Sequence, residues 1–128
     1  MRILLDTHVL LWWFTDDGRL SVRARAAIAE VQTQVYVSAA SAWEIATKQR
    51  LGKLNGVSQV TTRYTELVTA NGFLHLPITP LHSLRAGSYH VDHRDPFDRM
   101  LAAQGELEQL PVVTTDPAFA QFDIDTLW

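Results

Sequence analysis

Four acidic residues of this 128-residue chain stand where a carboxylate can do chemistry: Asp6, Glu44, Asp98 and Asp116. Asp6 directly follows the apolar run Ile3-Leu4-Leu5, and Asp116 follows Pro111-Val112-Val113-Thr114-Thr115. Glu44 falls within two turns of the start of a helix that begins after a second apolar run, and Asp98 falls in the first turn after Pro96. Carboxylates brought close repel one another, and at neutral pH at least one takes up a proton unless a cation offsets the charge. A cluster of three or four therefore asks for a metal, and a donor set of oxygens selects a hard ion, Mg²⁺ or Mn²⁺. Such an ion can activate water and stabilise the charge that builds on a phosphodiester under in-line attack. Thr7 and Thr114 lie beside the first and last acids, where a hydroxyl can orient a carboxylate or a bound water.

Each acid also has an ordinary structural reading. Asp6 and Asp116 are suitable helix caps, and Asp95 before Pro96 is a still better one. Glu44 completes the capping-box pattern Ser41-Ala42-Trp43-Glu44, and Asp98 suits the positive end of its own helix. Taken singly these readings compete evenly with catalysis; taken together the acids argue for metal-assisted hydrolysis. The rival metal site is His90 with His93, three apart and beside Asp92 and Asp95, a spacing that could hold zinc. Chance produces that spacing often. His8, His75 and His82 read as ordinary surface or partly buried residues. Trp12, Trp13 and Trp43 lie in apolar helical stretches and read as core, with a dimer surface as the sharper alternative. Lys48, Arg50, Lys53, Arg94 and Arg99 flank the acidic segments and are candidates for phosphate contacts, although solvated helix faces explain them equally well.

The elements that must position these groups alternate in type. Ile3 to Leu5 is a short apolar run with nothing polar on either face, as in a strand of a parallel sheet covered on both sides. His8 to Phe14 reads as a short helix closed by Asp16-Asp17-Gly18. Ser21 opens a second helix to about Val31. Gln34 to Val37 is a strand closed by Ser38, and Ser38 to Leu51 is a helix stopped by Gly52. Val57, Val60, Tyr64, Leu67 and Val68 trace one amphipathic helix, and Phe73 to Ile78 carries a short strand. Thr79-Pro80 and Asp95-Pro96 each open a further helix, the second with Phe97, Met100, Leu101 and Gln104 on one side. Pro111 to Thr114 is a fourth strand and Ile124 to Trp128 a fifth. Strands alternating with helices imply a parallel sheet with helices on both faces. In such sheets ligands sit beyond the carboxyl ends of the strands. Asp6 and Asp116 then share one rim. Glu44 fits the same rim, while periodicity alone does not place Asp98.

Length and composition suit one α/β domain over residues 1–128, long enough to bury roughly two thirds of its unfolded surface. Hydrophobic residues make up 47% and charged residues 20%, which is ordinary for a globular protein and argues against a disordered chain. With no cysteine there are no disulfides and no thiolate metal sites. The start of the chain lacks a signal-peptide pattern, and no apolar run approaches the roughly 20 residues of a membrane span, so a cytoplasmic protein is expected. The net charge of −3 does not advertise a nucleic-acid binder. With four of the fourteen acids held on a metal, however, the eleven Lys and Arg outnumber the acids that remain.

Four segments carry a family resemblance: Leu4-Leu5-Asp6-Thr7-His8, Ser38-Ala39-Ala40-Ser41-Ala42-Trp43-Glu44-Ile45, His93 through Gln104, and Val113-Thr114-Thr115-Asp116. In this order, and spanning essentially the whole chain, they resemble the PIN-domain ribonucleases, in particular VapC-type toxins of bacterial toxin–antitoxin pairs. The resemblance implies a three-layer α/β/α fold with a parallel sheet of about five strands and a Mg²⁺- or Mn²⁺-dependent endoribonuclease. It assigns Asp6, Glu44, Asp98 and Asp116 to the metal, with Thr7, Thr114 and Asp95 supporting them. Asp98, rather than Asp95, is the acid followed after two residues by an aliphatic-Ala-Ala run. Lys48, Arg94 and Arg99 are the RNA-phosphate candidates. A homodimer and a cognate antitoxin partner are also implied. Two other classes compete: a silent PIN-like scaffold that binds protein or RNA, and a phosphoacceptor signalling domain. The second wants an aspartate closing the third strand and a late lysine, and this chain has Leu76-Pro77-Ile78-Thr79 there and only Lys48 and Lys53.

Overall fold

Ile3, Leu4 and Leu5 are wholly excluded from solvent, and the molecule is built outward on both sides of the strand that contains them. The structure, a computed structural model, describes residues 1–128. Strand β1 (Arg2–Leu5) pairs with β2 (Gln34–Ser38) on one side and β4 (Val112–Val113) on the other. Beyond them lie β3 (Leu74–Leu76) and β5 (Thr126–Leu127), giving the order β3-β2-β1-β4-β5 with every neighbouring pair parallel. The chain first builds β1, β2 and β3 in one direction and then returns to place β4 against β1. That reversal opens a crevice at the carboxyl ends of β1 and β4, the place where open parallel sheets bind ligands.

Alternation along β1 divides the interior. Ile3 and Leu5, with Val35, Val37 and Val113, face one core. Its cover is α1 (Thr7–Phe14), α2 (Val22–Ala29), α3 (Ala39–Arg50), α4 (Ser58–Thr62) and α5 (Tyr64–Ala70). Leu4 and Val112 face the other core, under α6 (Pro80–Ser88), α7 (Pro96–Glu108) and a 3₁₀ turn at Pro117–Phe122. The result is the three-layer α/β/α arrangement expected from the alternating pattern, with a five-stranded parallel sheet.

Three details differ from the sequence reading. The single helix expected from Val57 to Val68 is broken at Arg63, whose φ of −117° is not helical. Its cause is partly tertiary and partly local: Thr61 turns its hydroxyl to the Gln49 side chain on α3, and Thr62 bonds back to the Ser58 and Gln59 carbonyls at 3.3 Å. Paired β-branched hydroxyl residues favour such local bonds over a continued helix. The second helix stops at Ala29, because Glu30 is already extended, and Val31 is left 90% exposed instead of joining the buried stripe. Trp43, read as core, is 60% exposed on α3, with its ring edge-on to Phe97 at 4.7 Å.

Candidate functional site

Asp6 leaves β1 with φ −62° and ψ 150° and caps α1, accepting the Thr7 N–H at 2.7 Å. The cap uses one carboxylate oxygen. The other accepts the Thr114 hydroxyl at 2.7 Å across the crevice, and the same hydroxyl oxygen accepts the Asp116 N–H at 3.0 Å. The capping reading of Asp6 and the clustering reading are therefore compatible. Burial, the largest influence, pushes the Asp6 carboxyl above its ordinary range; the Thr114 hydrogen bond and His8 oppose this, and the charge of Glu44 adds to it.

Glu44 is carried to the same rim by α3. The cap of α3 is Ser38, whose hydroxyl accepts the Ala40 N–H at 3.0 Å. Ser41 instead exchanges a 2.9 Å hydrogen bond with Thr7, tying α3 to α1. The capping box expected of Ser41 and Glu44 is thus not formed, and the helix start makes no use of the Glu44 carboxylate. That carboxylate is buried, with Oε2 paired to the Lys48 ammonium one turn on and Oε1 without any partner. Burial works against the charged Lys48, but its bond to Glu44 and the charges of Glu44, Asp95 and Asp98 outweigh that and raise its pKa.

Asp98 reaches the rim from the first turn of α7. Asp95 caps that helix, accepting the N–H groups of Phe97 at 2.8 Å and Asp98 at 3.2 Å, so it supports the backbone that carries Asp98. The Asp98 carboxylate lies 2.8 Å from His93 Nε2. Its pKa is pushed up to about 7, chiefly by burial and further by the negative charges of Asp6, Asp95 and Glu44, against the lowering effect of His93. Asp116 sits at the exposed edge, capping the 3₁₀ turn through the Ala118 N–H at 2.9 Å. With Asp6 it lines a depression of about 400 Å³ that includes His8, Trp12 and Arg19.

The fold thus brings Asp6, Glu44 and Asp98, from three different elements, within one another's electric field, and sets Asp116 beside Asp6. As placed, no three His, Asp or Glu side chains converge on one point; Lys48 and His93 each draw one carboxylate to themselves. The donor set nonetheless fits a hard divalent cation. It is made of carboxylate oxygens, two of its members (Asp6 and Asp98) are raised chiefly by burial and further by neighbouring acids, and it keeps one buried oxygen of Glu44 with nothing to bond.

Several candidates play other parts. The Arg99 guanidinium, expected among the phosphate contacts, donates instead to the carbonyls of Ala86, Tyr89, Val91 and His93 at 2.7–3.4 Å, pinning the loop before α7. Lys48 is engaged by Glu44, while Arg94 remains exposed. His90 is exposed and His93 serves Asp98, so the two do not form a pair. His82, expected at or near the surface, is 1% exposed: its Nδ1 accepts the Thr79 N–H at 3.0 Å, and Nε2 lies 2.8 Å from Glu108. His8 is the residue that sequence reasoning set aside and the fold puts on the acidic rim. The available signal was its place two residues after a strand-closing acid, in the first turn of a helix.

The PIN domain family model matches residues 3–125. No curated protein matches the sequence significantly. Among solved structures, a chain of VapBC2 from Rickettsia felis, in a crystal bound to a DNA fragment from its promoter, superposes with a TM-score of 0.70 at 11% identity, covering 100% of this chain and 98% of that one. A chain of VapBC-1 from nontypeable Haemophilus influenzae gives 0.69 at 16% identity, with 99% and 97% covered. A chain of FitAcB from Neisseria gonorrhoeae gives 0.62 at 21% identity, with 100% and 97% covered. At these identities the likeness is one of fold.

Proposed function

The chain belongs to the PIN domain family, and from that premise we propose that it is a Mg²⁺- or Mn²⁺-dependent endoribonuclease, the toxin of a toxin–antitoxin pair. The observation that carries this reading is the meeting of Asp6, Glu44 and Asp98 at the β1–β4 crevice, with a buried Glu44 oxygen left unpaired. Asp6, Glu44, Asp98 and Asp116 would hold the ion. When bound it supplies a water of lowered pKa and a positive charge against the phosphate. The chain's own work is positional. Thr114 fixes one oxygen of Asp6, Asp95 fixes the start of α7 beneath Asp98, and Ser41 with Thr7 holds α3 against α1. Lys48 and His93 pair with Glu44 and Asp98 in the metal-free chain, and both carboxylates would have to leave those partners to hold the ion. The toxin reading draws on the solved structures of similar fold, which come from VapBC and FitAB-type complexes. A cognate antitoxin and a second copy of the chain are the partners proposed, and the cytoplasm is the compartment.

The test is cleavage of total cellular RNA by the purified protein with Mn²⁺ or Mg²⁺ against EDTA, beside Asp98→Asn. Discrete metal-dependent fragments that vanish in the variant are expected. A second reading, a silent PIN-like scaffold, rests on the engagement of Glu44 by Lys48 and of Asp98 by His93. The absence of both cleavage and Mn²⁺ binding in calorimetry would move the assignment to that scaffold.

A further inference from the structure

Two depressions share three side chains. The one beside the acids is lined by Asp6 and Asp116 and by His8, Trp12 and Arg19. A second, of about 490 Å³, begins at the same His8, Trp12 and Arg19 and runs on to Lys53 and Asn55 beyond the end of α3. The shared side chains set the two edge to edge, a trough in two parts that leads from the proposed cleavage site along α1 toward Lys53. We propose that this trough is the subsite that seats an unpaired nucleotide next to the cleaved phosphodiester, with Trp12 and Arg19 as its stacking platform and His8 and Lys53 toward the phosphates.

The proposal rests on the ribonuclease reading and assigns the side chains that seat the strand beside the cleaved bond. Proteins that hold single strands combine cations that follow the backbone with flat groups on which bases stack, and both aromatic rings and Arg planes serve. Trp12 is half-buried: it packs on the core, and its remaining surface faces the trough. Its ring lies 6.0 Å from that of His8 and 5.8 Å from that of Trp128. The Arg19 guanidinium carbon stands 5.1 Å from the Trp12 ring centre. Arg19 does not move freely, because Asp17 accepts its Nε at 3.1 Å and its Nη2 at 2.8 Å, leaving Nη1 without a partner. A guanidinium held by two parallel bonds against an indole is pre-ordered, so little side-chain entropy is lost when a base lies on it. Lys53 at the far end is exposed and has no acidic partner. An A-form duplex keeps its bases stacked and inaccessible, so the trough favours single strands.

The experiment measures binding by fluorescence anisotropy, with Asp98→Asn in every protein to prevent cleavage. The probes are a labelled random-sequence single-stranded RNA 12-mer, the same 12-mer as a duplex, and a 12-mer of abasic residues. The parent is expected to bind the single strand in preference to both other probes. Trp12→Leu should weaken that binding about tenfold, and Trp12→Phe should restore most of it. Arg19→Gln, an exposed substitution that leaves the core alone, should weaken it and reduce the salt slope by about one ion. Thermal melts show which variants are folded, and Arg19→Gln decides the matter if Trp12→Leu is not. Single-strand binding by the parent with equal affinity in Arg19→Gln and Trp12→Leu overturns the subsite alone and leaves the trough to a protein segment. A parent that binds none of the probes overturns the subsite together with the RNA reading beneath it.

Discussion

Thr114 touches two of the four acidic residues with a single oxygen atom, donating to Asp6 and accepting from the Asp116 backbone. Replacing it by valine keeps the shape and removes both bonds beside the buried Asp6 carboxylate. A buried hydrogen bond to a charged group contributes roughly 1.5–3 kcal/mol, so Thr114→Val should lower stability by about 2 kcal/mol in denaturant titration. It should also weaken Mn²⁺ binding near neutral pH, because that hydrogen bond is the largest influence holding the Asp6 carboxyl down. Unchanged stability and unchanged Mn²⁺ affinity would show that the hydroxyl is not part of the acid network. Residue by residue, much of this was legible. Strand-closing acids at Asp6 and Asp116 and the hydroxyl two places before the last acid can be read directly. Glu44 and Lys48 stand four apart, the spacing of a helical ion pair. That their pair is buried at the strand ends depends on α3 packing against α7, which no local pattern states. His8 was missed for a related reason: a lone histidine on an apolar helix has no local sign that its turn lies beside the acids.

Helix α7 carries Asp98 and must lie close to the sheet to deliver it. Gly105 allows that approach: a Cβ there would stand 2.9 Å from Val112 Cγ2 and 3.1 Å from the Leu110 carbonyl. Neither neighbour can yield easily, since one is in the central sheet and the other is backbone. Gly105→Ala should therefore cost about 1–3 kcal/mol by overpacking, despite the better helix propensity of alanine. A gain in stability in thermal or denaturant unfolding would show that the helix can ride outward. At the other end of α7, Arg99 bonds four carbonyls of the segment Ala86–His93. Arg99→Met keeps the stem and strands those acceptors, so protease cleavage between Tyr89 and Arg94 should rise well before global unfolding. Equal protection of that loop in both proteins would assign the pinning elsewhere. The elements themselves were largely readable because caps and prolines mark them: Ser21, Thr79, Asp95 and Asp116 all cap where expected. What the pattern did not reveal is tertiary. The break at Arg63 comes partly from Thr61 reaching Gln49 on another helix. The burial of His82 comes from Glu108 on α7 and a capping box on its own helix. The four carbonyls that absorb Arg99 are brought together only when the loop folds back.

At the scale of the whole molecule, the acidic rim is a load on the fold that the two cores must carry. Asp98 titrates near 7 in the folded, metal-free protein against an ordinary value of 3.8, and Asp6 is raised as well. Between those values the folded chain holds a proton that the unfolded chain has already released. The unfolded state therefore binds fewer protons, and stability falls as pH rises through that window. Below about pH 4 both states are protonated and the penalty disappears. This opposes the usual behaviour of paired surface carboxylates such as Asp17, held down to about 2 by Arg19, which favour the folded state once ionised. The expected result is a Tm in EDTA that declines from about pH 5 to about pH 7.5. In Asp98→Asn, whose side chain stays neutral, most of that decline should vanish. A cation bound only by the folded chain reverses the load, adding about 2.7 kcal/mol at a hundredfold excess over its Kd. Mn²⁺ should accordingly raise Tm at neutral pH and do so far less at pH 5, where protons compete for the same oxygens. A metal-free Tm that climbs across this window would mean that Asp6, Glu44 and Asp98 do not share a buried field. The same four melts, with and without Asp98→Asn and Mn²⁺, thus read the site through the stability of the entire sheet, with no RNA substrate required.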